Sequence, residues 1–505
     1  MRESRRARVL WREVDPVTQS KGFSTHRWRP AVGFCLHPPT AGSPTVTRTK
    51  KHMDLRLARR WRRWTREVRP TLALAMPIMG GMIGHMLIGI ADTIMVGRVG
   101  VVPLAASSFV NTITHLPFIF ACGLLSAIAV LTAQAHGAKQ PHEAGEVLRH
   151  GFTIAFIAGL CTLVVCFCLR PFLGWFGQPA DVVAASHTYL ILFGGSLMPA
   201  IVFHGCKQYC EALNRPWEPM LIMLGAVLMN VFLNWILIYG NWGAPALGLE
   251  GAGWATLIVR TSMALALIAH IARASVFRDF KPVRWIAPLK LDRFRQLFHL
   301  GIPVGVQHVL EVSAFAFAAL MMGWISTDAI AAHQIAITCA ATTFMFGLGI
   351  GMAVCIRVGH AWGAGHYQRM RRMGFVGIVL SASVMGFFGL VFVAAGTPIA
   401  RCFIVSPAVI TLGAQLLMVA AIFQVADGIQ IVAMSGLRGQ NDVRAPAMIA
   451  MLSYWIVAVP TGYLLAFRAQ YGAVGIWIGL AIGLGAAATC LTWRFHERSK
   501  IAITS

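Results

Sequence analysis

Two stretches, AMPIMGGMIGHMLIGIADTIMVGRVG (residues 75–100) and GIPVGVQHVLEVSAFAFAALMMGWIS (residues 301–326), decide how this chain folds. Each is apolar over roughly the 20 residues that a helix needs to cross a bilayer. Laid over one another at an offset of 226, they match Pro77 with Pro303 and Gly97 with Gly323. The same offset sets PLAA (103–106) over AIAA (329–332) and HGA (136–138) over WGA (362–364). One residue further on, NRPWEPM (214–220) falls over NDVRAPA (441–447), pairing Asn214 with Asn441 and Pro219 with Pro446. Chance apolar similarity does not hold one offset across so many Gly and Pro landmarks.

Working outward, apolar windows predict spans near 71–95, 103–135, 148–170, 185–208, 218–240 and 251–273. Six more follow near 296–321, 329–357, 373–396, 407–434, 445–467 and 472–493. An even number of spans per repeat makes both halves enter the membrane from the same side, so the repeat is parallel. The expected fold is an all-α polytopic membrane protein, with twelve transmembrane helices in two six-helix lobes. We place the N-lobe at 71–273, a basic linker at 274–291 and the C-lobe at 292–505. Composition agrees: the 505 residues are 57% hydrophobic and 12% charged, whereas soluble domains carry about 25% charged residues.

The net charge of +24 is concentrated in two places. Residues 1–70 hold 18 Lys/Arg against 5 Asp/Glu and read as a basic disordered tail without a signal-peptide core. Met53 opens a normal lead into the first span and is expected to be the natural start. In the rest of the chain, 20 Lys/Arg lie in the even-numbered loops and the C-terminus. Four lie on the opposite side (Arg98, Arg170, Arg401 and Arg468). The positive-inside rule then puts both termini in the cytoplasm, at what we call the basic end. The eleven cysteines form no CxxC pair and suit inert packing, so neither a disulfide nor a metal site is expected.

Three acidic residues fall within the predicted spans: Asp92, Glu311 and Asp427. A carboxylate at membrane depth costs about 2.5–3.5 kcal/mol, so each must face the bundle interior or a water-filled cavity. Such groups exchange protons with water or offer the oxygens that a hard cation prefers. Asn230 and Asn234 share a face at i, i+4, and Thr256 lies early in the sixth span. Arg260, on the face of Thr256, reads as the single mid-span base and is expected to pair with a carboxylate. His85 and His308 are read as structural. No nucleophile set, HExxH or paired-carboxylate motif is present, which weighs against an intramembrane enzyme.

With these residues in view, the chain resembles the multidrug and toxic compound extrusion (MATE) family, in its bacterial NorM-type branch. The resemblance covers about Arg69 to Phe495 and rests on LNRPWEPM, LMNVFLNWILIYG, GLEGAGWAT, AAHQIAI, GMAVCIRVGHAWGAG and SGLRGQND beside the opening stretches. It implies a multidrug efflux antiporter of the bacterial inner membrane, exporting organic cations and amphipathic drugs against inward H⁺ or Na⁺. It also implies one cation site at Asp92 with Asn230, Asn234 and Thr256, and another at Glu311 and Asp427. Arg260 has no counterpart in the family pattern and is a possible modulator of Asp92. No cofactor and no nucleic-acid partner are expected, and the chain is expected to act as a monomer. The alternative within transport is a lipid-linked oligosaccharide flippase of the same superfamily, which would favour an arginine-lined cleft.

Overall fold

The computed structural model describes residues 44–282, 285 and 288–504, with side chains from Trp64 onward. The chain divides into two units, Met1–Ala58 and Arg59–Ser505. The second unit carries twelve helices long and apolar enough to cross a membrane. They are α1 (Trp64–Gly97), α2 (Val101–Gly137), α3 (Pro141–Phe176), α4 (Ala180–Ala212), α5 (Trp217–Leu237) and α6 (Gly248–Arg273). After the linker come α7 (Leu291–Gly323), α8 (Thr327–Gly363), α9 (Tyr367–Arg401), α10 (Pro407–Gly439), α11 (Arg444–Arg468) and α12 (Gly472–Ile503).

The internal repeat is written into the helix ends. Asn214 and Asn441 both take left-handed backbone, at φ 61° and 63°, just after α4 and α10. Lys139 and Gly365 do the same after α2 and α8, at φ 57° and 70°. A left-handed residue beyond the last turn lets a later amide return to an orphan helix carbonyl. Gln140 N thus bonds Ala135 O at 2.9 Å, and its counterpart His366 N bonds Ala361 O at 2.8 Å.

The same two-fold relation governs the contact between halves. Gly137 packs on the carbonyl of His360, and Gly363 on the carbonyl of Gln134, its counterpart. Gly123 meets Gly305 backbone to backbone, while its counterpart Gly349 meets Met79, the counterpart of Gly305. Ala133 touches Gly359, its own counterpart, so the axis passes between them. Small residues allow such close helix approach. Polar contacts repeat as well: Gln134 donates to Gly439 O at 2.9 Å, and His360 bonds Ala212 O at 2.7 Å. From Gly137 back to Gly123 this seam covers four turns, about 21 Å.

Among the described residues, every side-chain hydrogen bond between the halves lies at the basic end. Toward the opposite end, Asn111, Thr112 and His115 of α2 and Gln334 and Thr342 of α8 are exposed. Polar faces on the two helices that flank the axis are suited to a water-filled cleft and unsuited to lipid.

One expectation needs correction. The sequence predicts a disordered tail to residue 70, but a helix begins at Pro44, and within that tail residues 1–43 lie outside the described residues. The run LRLARRWRRW is rich in good helix formers, and Glu67 is buried in an ion pair. Arg260 sits in the middle of α6, and bases toward the ends of other helices are buried as well. Lys207, Arg357 and Arg438 are 6–8% exposed within α4, α8 and α10. Hydropathy windows end where charge begins, whereas these helices continue past their apolar cores and bury the charges against partners.

Candidate functional site

In the N-terminal half, α5 and α6 deliver three polar side chains to one oxygen pair on α1. The i, i+4 spacing turns Asn230 and Asn234 to the same side, and both are fully buried. Asn230 Nδ2 donates to Asp92 Oδ1 at 3.0 Å and Asn234 Nδ2 to the same oxygen at 2.6 Å. Thr256 Oγ1 reaches Asp92 Oδ2 at 3.4 Å while also bonding Ala252 O at 2.9 Å. The amide oxygen of Asn234 is buried without a partner. All four expected residues therefore meet, and one buried acceptor is left unused.

Arg260 does not join them. Its Nη1 donates to Ser196 Oγ at 2.8 Å, and its guanidinium lies 4.7 Å over the Phe193 ring, both on α4. It forms no ion pair with a carboxylate among the described residues, contrary to expectation. The carboxylate of Asp92 is already engaged by amides, and the aromatic face of α4 offers the cation a partner. Arg260 acts on Asp92 only across the intervening space.

In the C-terminal half, Glu311 Oε1 accepts a hydrogen bond from Tyr454 OH at 2.8 Å. Tyr454 in turn accepts from Gln430 Nε2 at 2.7 Å. Asp427, on α10 one turn before Gln430, is 7% exposed and makes no side-chain hydrogen bond among the described residues. It lies within electrostatic reach of both Glu311 and Tyr454. His308 Nδ1 stands 3.9 Å from Glu311 Oε2, one turn before it on α7 and beyond hydrogen-bond distance. His85 stacks on Phe118 at 6.1 Å, in keeping with a packing role.

Tyr454 and Gln430 were not anticipated. Tyr454 occupies a π-helical turn, Leu452–Ala458. Such turns recur at functional sites because the extra residue shifts the side-chain register. A tyrosine inside an apolar span, whose hydroxyl must find a partner, is the available signal. Among the described residues, no group of three or more His, Cys, Asp or Glu is placed to hold a metal ion.

The two sites are not copies of one another. Under the offset, Asp92 corresponds to Ala318 and Glu311 to His85. Both carboxylates lie beyond the seam: Asp92 is more than three turns past Met79, and Glu311 nearly two past Gly305.

Comparison with known proteins agrees with the duplicated fold. The MatE family model matches twice, over residues 77–236 and 303–464, with starts 226 residues apart. The Probable multidrug resistance protein NorM of Bradyrhizobium diazoefficiens is 37% identical over 430 residues, covering 84% of this chain and 92% of its own. That of Pseudomonas putida is 35% identical over 441 residues, covering 86% and 96%. Among solved structures, the Vibrio cholerae MATE transporter VcmN in its bent form aligns with a TM-score of 0.80 at 21% identity, covering 87% and 98%. A eukaryotic MATE transporter aligns at 0.79 and 19%, covering 87% and 99%. With the duplicated match and relatives above 30% identity along nearly their full length, the chain belongs to the MatE family, in its NorM-type branch.

Proposed function

We propose that the chain is a multidrug efflux transporter of a bacterial inner membrane, with both termini cytoplasmic. As a single chain, it expels cationic and amphipathic drugs in exchange for inward H⁺ or Na⁺ by alternating access. The observation that carries this reading is the pair of buried carboxylate sites, one per half, set beyond a seam that closes only the basic end. A drug cation and the coupling ion then compete for the same oxygens from the open side. Exchange follows when the ion and the drug prefer different states of the cleft.

The donor geometry bears on the ion. Asn230 and Asn234 direct their NH₂ groups at Asp92. A sodium ion there would require at least one amide to turn its oxygen inward, and the unpartnered Asn234 oxygen is available for that. A proton needs only one hydrogen bond to break. Either ion fits, and the coupling gradient is the quantity to measure.

The test uses the purified chain in liposomes loaded with a fluorescent organic cation, with a Na⁺ or pH gradient imposed separately. Efflux of chemically unaltered dye under one gradient supports the proposal. Movement under neither gradient, with the protein shown to be folded, sinks it and favours the flippase. Tyr454→Phe gives a finer check. Losing the hydroxyl strands the Glu311 oxygen and the Gln430 amide, a loss of about 1–3 kcal/mol. If the C-terminal site carries coupling, the concentration of ion giving half-maximal efflux is expected to fall about ten-fold, because the donor that competes with the ion for the Glu311 oxygen is gone, with little change in maximal rate.

A further inference from the structure

At the basic end, two ion-pair clusters bridge the halves. Glu67 opens α1, is 6% exposed, and pairs with Arg357 of α8 and, at 3.2 Å, with Arg369 of α9. Arg357 also donates to the Glu67 carbonyl at 2.8 Å and to the Thr71 hydroxyl. The second cluster joins Arg293 of α7 to Glu143 of α3. Under the internal two-fold these are counterparts: Glu67 answers to Arg293, and Glu143 to Arg369.

A faithful duplication would give each half one acid and one base. Here both acids sit on the N-terminal half and all three bases on the C-terminal half, so the second pair is inverted. Alternating charges hold two surfaces in a single register, because sliding brings like charges together. Uniform opposite charges keep attracting while the surfaces pivot, and let go only when they part. The arrangement therefore suits a clasp that must rock, more than a fixed weld.

We propose that these two clusters form a twin latch holding the basic end shut in the state described here. Both release when the cleft turns to the cytoplasm; this step rests on the alternating-access reading above. The latches are unequal. The Glu67 and Arg357 side chains are 8% and 7% exposed, whereas Glu143 and Arg293 are 34% and 28% exposed. Breaking a buried pair strands a desolvated charge, so Glu67→Gln is expected to raise the ratio of open to shut basic ends by a hundred-fold or more. Glu143→Gln, in a screened pair, is expected to raise it two- to five-fold.

The test is double electron–electron resonance between spin labels at Gln140 and His366. These are exposed counterparts, one in each half. The full chain is used in lipid nanodiscs, with its native cysteines replaced. Wild type is expected to show mainly the short distance, and each glutamine variant to gain the long one. The exchange Glu143→Arg with Arg293→Glu restores the duplicated arrangement and is expected to return the distribution to wild type. Because that pair is half exposed, the exchange remains informative even if Glu67→Gln does not fold. An exchange no closer to wild type than the single variants overturns the latch, as do glutamine variants identical to wild type. A wild-type protein that never reaches the long distance under any ion or drug condition overturns alternating access and the latch together.

Discussion

Substituting Asp92 with asparagine is expected to reduce gradient-driven dye efflux to the passive leak, if the N-terminal site carries the coupling. Asparagine keeps the side-chain volume and an oxygen that still accepts from Asn230 and Asn234, both fully buried. The fold has no reason to give way, while the exchangeable proton and the negative charge are gone. Glu311→Gln makes the same subtraction in the other half, since Tyr454 still has an oxygen to bond. Coupling between two sites amounts to about 1–3 kcal/mol, or 5- to 150-fold in affinity. The coupling variant should lose at least an order of magnitude in driven efflux while drug-independent folding, read by thermal unfolding, stays near wild type. Equal efflux from both variants and wild type, under both gradients, would make these carboxylates structural.

That prediction draws on the part of the site that was legible in the sequence. An aspartate in an apolar run and two asparagines one turn apart have few reasons to exist in a membrane helix, so composition alone marks them. The twelve spans and the parallel repeat were legible for a similar reason, because Gly and Pro at helix ends mark the boundaries that apolar content blurs. What remained hidden depends on registers that periodicity does not carry. Tyr454 reaches Glu311 through a π-helical turn, and an α-helical reading of the eleventh span places its side chains on other faces. The sequence reading leaves Glu67 in the tail and Lys207, Arg357 and Arg438 among the loop charges, because charge ends a hydropathy window. Each is in fact buried and held by a partner: Glu67 by Arg357, Lys207 by Glu211 at 2.9 Å, and Arg438 by Gln307 at 3.0 Å. Arg260 was expected to seek a carboxylate, and a neighbouring serine and phenylalanine hold it instead. Duplication fixes where the helices lie, but not which counterpart keeps an acid: Glu311 corresponds to a histidine and Glu67 to an arginine.

The seam itself yields a prediction whose sign runs against helix propensity. In an open helix position, Gly→Ala stabilises by about 1 kcal/mol. Gly225 of α5 is such a position, with nothing within 4 Å of an added Cβ, and Gly225→Ala is expected to be neutral or stabilising. Gly137 and Gly363 are the opposite case. A Cβ at Gly137 would stand 2.7 Å from the His360 carbonyl carbon, and one at Gly363 would stand 2.8 Å from that of Gln134. Both obstacles are backbone and cannot rotate away, so the helices must separate. Overpacking of this kind costs about 1–3 kcal/mol, enough to outweigh the propensity gain and lower the unfolding midpoint of the purified protein. The two sites lie on either side of the Ala133–Gly359 contact and load the same seam. Once one methyl has parted α2 from α8, the second finds room already made. Gly137→Ala with Gly363→Ala should therefore cost less than the sum of the single changes, by about 0.5–3 kcal/mol. Strict additivity would mean that each half yields separately and that the axis contact does not act as one unit. Sub-additive loss, with the spin-label distance between Gln140 and His366 lengthened in either single variant, would identify the glycine seam as the surface that closes when the basic end shuts.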